Sequence, residues 1–222
     1  MNINVKKLTD VELLREANSF TTNKESKMSL LTAYRMKHSP IRTQIFWITM
    51  EDIPLFVASQ LVRSHVGIQC YQLSKRTDRG GADFNDVCRN FGFNIRTNHI
   101  GKEDWLATDL GNSYERFAEA VETLPEVFDR YAPTNLAMLI NAEAIMNMSS
   151  KRLCAKASKE TREIWQKTLE LIEEVDPDLV CYCKKPCVLS GVCREVKPCG
   201  YMASETYLTE RRLYKNLFKP KV

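Results

Sequence analysis

The sequence lacks any long apolar run, and its first residues carry no hydrophobic leader. No stretch of the 222 residues approaches the roughly 20 apolar residues that a membrane-spanning helix needs. The N-terminal segment 1–7 has no extended apolar core, so it does not resemble a secretory signal peptide. These absences predict a cytoplasmic protein without a membrane partner.

A strong charge of either sign is also missing. The chain has 32 basic and 28 acidic residues, a formal net charge of +4. Such a small excess gives no reason to expect a nucleic-acid surface, although it is compatible with a local basic pocket for a small anion. The sequence also shows no internal repeat and no low-complexity linker.

Cysteine is abundant only near the C-terminus. Four thiols fall within 17 residues, at Cys183, Cys187, Cys193 and Cys199. In a reducing compartment such a cluster suggests structural zinc or an iron–sulfur cluster. Cys154 is a possible further ligand, and the alternative is a set of reduced, buried cysteines. We therefore expect a metal-binding C-terminal extension, residues 179–222, after a main domain of residues 1–178.

The order of apolar patterns predicts an α+β fold with a small mixed or antiparallel sheet packed against several helices. Strands are predicted at 43–49 and 67–75 from aromatic and β-branched residues. Helices are predicted at 8–18, 28–36, 52–63, 112–131, 134–148 and 158–175. Asp10, Asp52, Thr134 and Ser158 lie at the predicted starts of four of them.

A basic, hydroxyl-bearing segment follows the predicted helix 52–63. It contains one of only three histidines, His65, and ends in Ser74-Lys75-Arg76 followed by Gly80-Gly81. Guanidinium, hydroxyl and backbone N–H groups are the donors that phosphate prefers. This segment therefore predicts a phosphate-binding loop.

The predicted helix 134–148 is apolar almost all round, apart from Asn141, Glu143 and Asn147. Buried polar groups need partners, so these three side chains are candidate ligand contacts. The alternative is that the asparagines cap local backbone and Glu143 pairs with a lysine.

Four motifs, in order, resemble those of the flavin-dependent thymidylate synthases. His38-Ser39-Pro40 precedes the first predicted strand, and Gln60-x-x-Arg63 leads into Ser64-His65-Val66, which Ser74 follows after seven residues. The segment 141–147 is then followed by Arg152 and Glu160. The similarity extends over roughly residues 35–165.

The resemblance implies a homotetramer that binds FAD and uses NADPH and methylenetetrahydrofolate as co-substrates to methylate dUMP. Carried over by position, Ser39, His65, Asn141 and Asn147 would contact FAD. The nucleotide would be bound by Gln60, Arg63, Gln72, Ser74, Lys75 and Arg76. Arg152 would lie beside the uracil carbonyls as the catalytic residue. Such a protein could serve phage-like nucleotide metabolism in a host cytoplasm.

The sequence departs from the family pattern at charged positions. Arg42 stands in place of a glutamate, Glu143 in place of an arginine and Gln72 in place of a glutamate. The reversals at Arg42 and Glu143 would compensate each other if the two side chains are close, and the alternative is altered binding of the flavin or the folate. The alternatives to thymidylate synthesis are hydroxymethylation of dUMP or dCMP, or a non-catalytic nucleotide-binding protein with a metal-binding tail.

Overall fold

The computed structural model describes residues 1–73 and 130–218. Its centre is a four-stranded antiparallel sheet in the order β1-β2-β4-β3. The strands are β1 (Asn2–Lys7), β2 (Ile45–Pro54), β3 (Ile68–Gln72) and β4 (Pro133–Asn141). Together with the surrounding helices, this sheet confirms the predicted α+β class.

The helices form two groups, one before β4 and one after it. The first group is α1 (Val11–Thr22), α2 (Leu30–Met36), the 3₁₀ helix Ser39–Thr43 and α3 (Leu55–Leu61). The second is α4 (Ala142–Arg152), α5 (Lys159–Val175), α6 (Pro177–Val180), α7 (Pro186–Ser190), the 3₁₀ helix Tyr201–Ala203 and α8 (Glu205–Asn216). Among these helices, none combines the length and apolar character required to cross a membrane.

One face of the sheet forms the hydrophobic core. On β2 and β4, alternate residues are buried, as expected where a strand covers a core with one face only. Phe46 lies opposite Ile140, and Ile48 lies opposite Met138; all four side chains are fully buried. Trp165 of α5 is also fully buried and donates its indole N–H to Ser149 Oγ at 3.0 Å.

The C-terminal segment packs onto this same core. Tyr182, Val188 and Tyr214 are all buried and belong to the core cluster. Asp176, just before α6, accepts hydrogen bonds from Lys7 Nζ at 2.7 Å and from Tyr34 OH at 2.6 Å. This buried network ties the end of α5 to the first strand.

The predicted helix 134–148 is wrong over its first half. Residues up to Asn141 form the central strand β4, and the helix begins only at Ala142. The segment is apolar at nearly every position because Ala137 and Leu139 are apolar although they lie on the half-buried outer face of β4, and because α4 is buried in the core. A short apolar run of this kind does not distinguish a strand from a buried helix.

The first half of the chain also departs from the predicted elements. The residues predicted to open a helix, 51–54, continue β2 through an irregularity in which Asp52 adopts φ 55°. The first strand, β1, was not predicted. Within the predicted helix 8–18, Leu14 is fully buried and Leu13 is 41% exposed. The predicted helix 112–131 lies largely outside the described residues.

Candidate functional site

An open cleft of about 470 Å³ lies between the end of α3 and the turn that follows α4. Its lining includes Gln60, Arg63, Arg152 and Ser158. We call it the arginine cleft. Three of the predicted nucleotide-binding residues, Gln60, Arg63 and Arg152, therefore share one site although they are up to 92 residues apart in sequence.

Arg152 is the most constrained cation of the arginine cleft. Its Nη2 donates a hydrogen bond to the carbonyl oxygen of Gln60, which fixes the guanidinium at the end of α3. Its buried Nε has no hydrogen-bond partner among the described residues. Burial lowers the pKa of Arg152, and the nearby positive charge of Arg63 lowers it further. An anion in the cleft would satisfy the free donor and relieve this repulsion.

The side chain of Gln60 is positioned from the other side by α5. Gln60 Oε1 accepts a hydrogen bond from Thr161 Oγ1 at 3.1 Å. Thr161 is fully buried in the first turn of the helix, which Ser158 caps by accepting from the Thr161 backbone N–H at 3.3 Å. Because its Oε1 is engaged, Gln60 presents only its NH₂ group as a free donor to a ligand.

Asn141 joins the end of β4 to the turn before β3. Its Oδ1 accepts from the Ala144 backbone N–H at 2.9 Å and caps α4. Its backbone N–H donates to the Gly67 carbonyl at 3.0 Å. Gly67 has φ 75°, and a Cβ atom there would lie 2.7 Å from Asn141 Oδ1. Only glycine fits this close approach, so Asn141 holds the turn that carries His65.

Arg42 and Glu143 form an ion pair at the same edge of the sheet. Arg42 Nε donates to Glu143 Oε2 at 2.6 Å, and Nη2 donates to Oε1 at 3.4 Å. The hydrogen bond to Glu143 raises the pKa of Arg42. The two side chains are therefore close enough to neutralise each other, and the partner of Glu143 is an arginine rather than a lysine.

The sequence model of one protein family, thymidylate synthase complementing protein, matches residues 5–178. The chain belongs to this family. The match covers well over half of the sequence and confirms the resemblance to flavin-dependent thymidylate synthases. Its last residue coincides with the predicted end of the main domain. No curated protein sequence matches the chain significantly.

Solved structures of flavin-dependent thymidylate synthases share the fold. The ThyX of Helicobacter pylori, complexed with FAD and dUMP, is 16% identical with a TM-score of 0.55; the match covers 83% of this chain and all of that one. A second structure of the same enzyme with FAD and dUMP is 15% identical with a TM-score of 0.51, covering 82% and 99% of the two chains. At this identity the likeness establishes the fold.

The family's other predicted contacts lie on several elements. Ser39, His65 and Asn147 are exposed polar side chains, in the 3₁₀ helix before β2, the turn before β3 and α4, respectively. Gln72 is exposed at the end of β3. Ser74, Lys75 and Arg76 lie outside the described residues, so the phosphate-binding loop stays a prediction.

The sequence analysis did not predict Thr161 as a residue of the functional site. Within an amphipathic helix, a threonine three residues after a serine cap is normally explained by the cap alone. Its contact with Gln60 spans 101 residues of sequence, and no local pattern signals it.

The predicted metal ligands are not all in one place. Cys187, Cys193 and Cys199 line one cavity. Cys183 instead belongs to the hydrophobic core, where burial raises the pKa of its thiol to about 12. Within residues 1–73 and 130–218, no three His, Cys, Asp or Glu side chains are arranged to hold a single metal ion.

Proposed function

We propose that this protein transfers a one-carbon unit from methylenetetrahydrofolate to C5 of dUMP, with FAD as cofactor and NADPH as reductant. One observation carries the proposal. Arg63 and Arg152 share a cleft with Gln60, and the buried Nε of Arg152 has no partner among the described residues. A pyrimidine nucleotide supplies both an anionic phosphate and carbonyl acceptors to such a cleft.

Arg152 has the features required of the catalytic residue. When C5 of uracil becomes nucleophilic, negative charge builds on the ring oxygens. A guanidinium held by the Gln60 carbonyl stabilises this charge without reorganising during the reaction. An arginine also keeps its proton at neutral pH even when burial lowers its pKa.

In this proposal, Thr161 orients the side chain of Gln60, and Gln60 orients the nucleotide. Thr161 fixes the Gln60 amide, so its NH₂ group points in one direction only. A single donor of fixed orientation favours the uracil carbonyl over an amino group. Through the contact between Thr161 and Gln60, α5 would help to orient the nucleotide although Thr161 does not line the cleft.

The exposed polar groups around α4 suit a bound FAD. Ser39, His65 and Asn147 are the side chains that would hold it, and the flavin would supply the hydride. Asn141 would offer its Nδ2 amide to the flavin, because its Oδ1 is committed to the cap of α4 and its backbone N–H to the Gly67 carbonyl. The ion pair between Arg42 and Glu143 would keep this region close to neutral.

A homotetramer is part of the proposal, and the outer face of the sheet supports it. Trp47 and Tyr71 pack together on that face with ring centroids 5.7 Å apart, and Tyr71 is 58% exposed. Exposed aromatic side chains on a sheet face are typical of subunit contacts.

The test is to incubate the protein with FAD, dUMP, methylenetetrahydrofolate and NADPH and to determine the mass of the nucleotide. We expect dTMP. Hydroxymethyl-dUMP would instead establish the second candidate, a pyrimidine nucleotide hydroxymethylase. A parallel incubation with dCMP tests the base. An unmodified nucleotide, with dUMP bound, would identify a non-catalytic nucleotide-binding protein.

A further inference from the structure

A second cavity, of about 220 Å³, lies beside the arginine cleft and is lined by four cysteines: Cys154, Cys187, Cys193 and Cys199. We call it the cysteine cavity. We propose that these four thiolates ligate an iron–sulfur cluster. The ligand set differs from the one predicted by sequence spacing, because Cys154 replaces Cys183.

The fold brings the four cysteines together from two distant segments. Cys154 lies in the turn after α4, where its carbonyl accepts from the Ala157 N–H at 2.9 Å. Cys187 lies in α7, and Cys193 and Cys199 lie in the segment between α7 and the 3₁₀ helix Tyr201–Ala203. Cys183 is 2% exposed within the hydrophobic core and does not line the cavity.

The segment that carries three of the cysteines is anchored at both ends. Lys185 Nζ donates to Tyr201 OH at 2.9 Å and to Glu210 Oε1 at 3.0 Å. Arg211 of α8 donates to the carbonyls of Val188 and Leu189. These contacts close the segment into a loop around the cavity before any metal binds, which lowers the entropy that cluster binding must offset.

The open volume enclosed by the four cysteines favours a cluster over a single ion. Tetrahedral zinc with Zn–S bonds of about 2.3 Å would require its sulfur ligands within about 4 Å of one another. In the described part of the chain, no three ligating side chains meet the requirement for one ion. The cysteines of a four-iron cluster each bind a different iron, so they lie farther apart around a central volume. The cysteine cavity provides such a volume.

The walls of the cavity suit an anionic cluster in a dry site. Pro186, Pro198 and Met202 supply apolar surface. Arg194 supplies a positive charge and Glu195 a carboxylate, and Lys185 supplies a second positive charge that is shared with Glu210. Apolar walls and nearby cations stabilise a cluster that carries net negative charge and limit its exposure to water.

The position of Cys154 gives the cluster a structural role next to the arginine cleft. Cys154 lines both cavities and lies two residues after Arg152. Ligation of Cys154 would tie the turn after α4 to the C-terminal segment. This consequence rests on the proposed function, whereas cluster binding itself does not.

The test is to purify the full chain without oxygen, reconstitute it with ferrous iron and sulfide, and measure iron, acid-labile sulfide and zinc per chain. We expect iron and sulfide in equal amounts, between about two and four of each, with absorption that bleaches on reduction. Iron and sulfide analysis is independent of flavin content and of turnover. Its result therefore tests the cluster even if the nucleotide assay detects no product. Stoichiometric zinc after purification from zinc-containing medium, or no bound metal, would overturn the proposal.

Serine variants test the ligand set. Cys154→Ser and the exposed Cys199→Ser should each lose most of the iron, measured on protein that elutes as folded material. Cys181→Ser is the matched control, because Cys181 belongs to the same segment but does not line the cavity. Retention of iron by Cys154→Ser together with its loss in Cys183→Ser would contradict the proposed ligands and favour the set predicted from spacing.

Discussion

Arg42 and Glu143 face each other across 101 residues of sequence in a two-point ion pair, with Arg42 Nε 2.6 Å from Glu143 Oε2. The pair links the 3₁₀ helix before β2 to the first turn of α4, the region of the proposed flavin contacts. The family resemblance implies a glutamate at position 42 and an arginine at position 143, which is the reverse of the charges in this chain. In this chain the two positions hold opposite charges that are in contact.

Exchanging the two charges provides the first prediction. Arg42→Glu or Glu143→Arg alone puts like charges together and should lower the melting temperature and weaken FAD binding. The double variant should recover most of both losses, because it restores an ion pair. Thermal unfolding and flavin titration of the four proteins form a double-mutant cycle. Additive losses would show that the two residues do not interact.

Removal of the Arg152 guanidinium should reduce turnover. We expect Arg152→Ala to lower kcat/KM for dUMP by about 100- to 1,000-fold, since a preorganised cation is lost where charge develops. The fold should remain, as judged by circular dichroism. Lys167→Ala, which removes an exposed cation from α5, is the control and should behave as wild type. Unchanged turnover in Arg152→Ala would rule out the catalytic role.

Thr161 should affect nucleotide binding from outside the cleft. Thr161→Val removes the hydrogen bond to Gln60 and should cost about 1 kcal/mol of the free energy of unfolding. It should also raise the Kd for dUMP several-fold, because Gln60 loses its fixed orientation.

Thr168→Val is the matched control for that experiment. Thr168 is equally buried on α5, but its hydroxyl donates to the Ile164 carbonyl at 2.8 Å within the helix. We expect a similar stability change without a change in dUMP affinity. Equal affinities for the two variants would show that Thr161 acts only through folding.

The buried thiol of Cys183 should make stability fall at alkaline pH. Burial raises its pKa from 9.0 to about 12 in the folded protein. The unfolded chain therefore releases this proton first, and the contribution is fully present below pH 9 and lost as pH rises toward 12. The loss should not exceed about 1.4 kcal/mol per pH unit.

Urea unfolding at a series of pH values checks this expectation. Between pH 8 and 10, Cys183→Ala should show a shallower decline of stability than wild type, whatever its stability at pH 8. Parallel pH profiles for the two proteins would show that Cys183 ionises alike in both states.

Much of the fold was predictable where local signals agree. Asp10 and Ser158 cap α1 and α5 as expected, because a polar cap and an amphipathic pattern point to the same boundary. The failure at β4 has a physical cause. Ala137 and Leu139 place apolar side chains on the outer face of β4, so the strand and the buried helix that follows it form one apolar run without a visible change of period.

For the site, the sequence by itself determined the family and predicted Gln60, Arg63 and Arg152 as site residues, because motif order and residue chemistry are readable along the chain. Only the tertiary structure decided which groups meet. It paired Arg42 with Glu143, fixed Gln60 through Thr161, and placed Cys154 rather than Cys183 with the C-terminal cysteines. These contacts join residues brought together by the packing of whole helices and strands, and spacing along the chain carries no information about such distances.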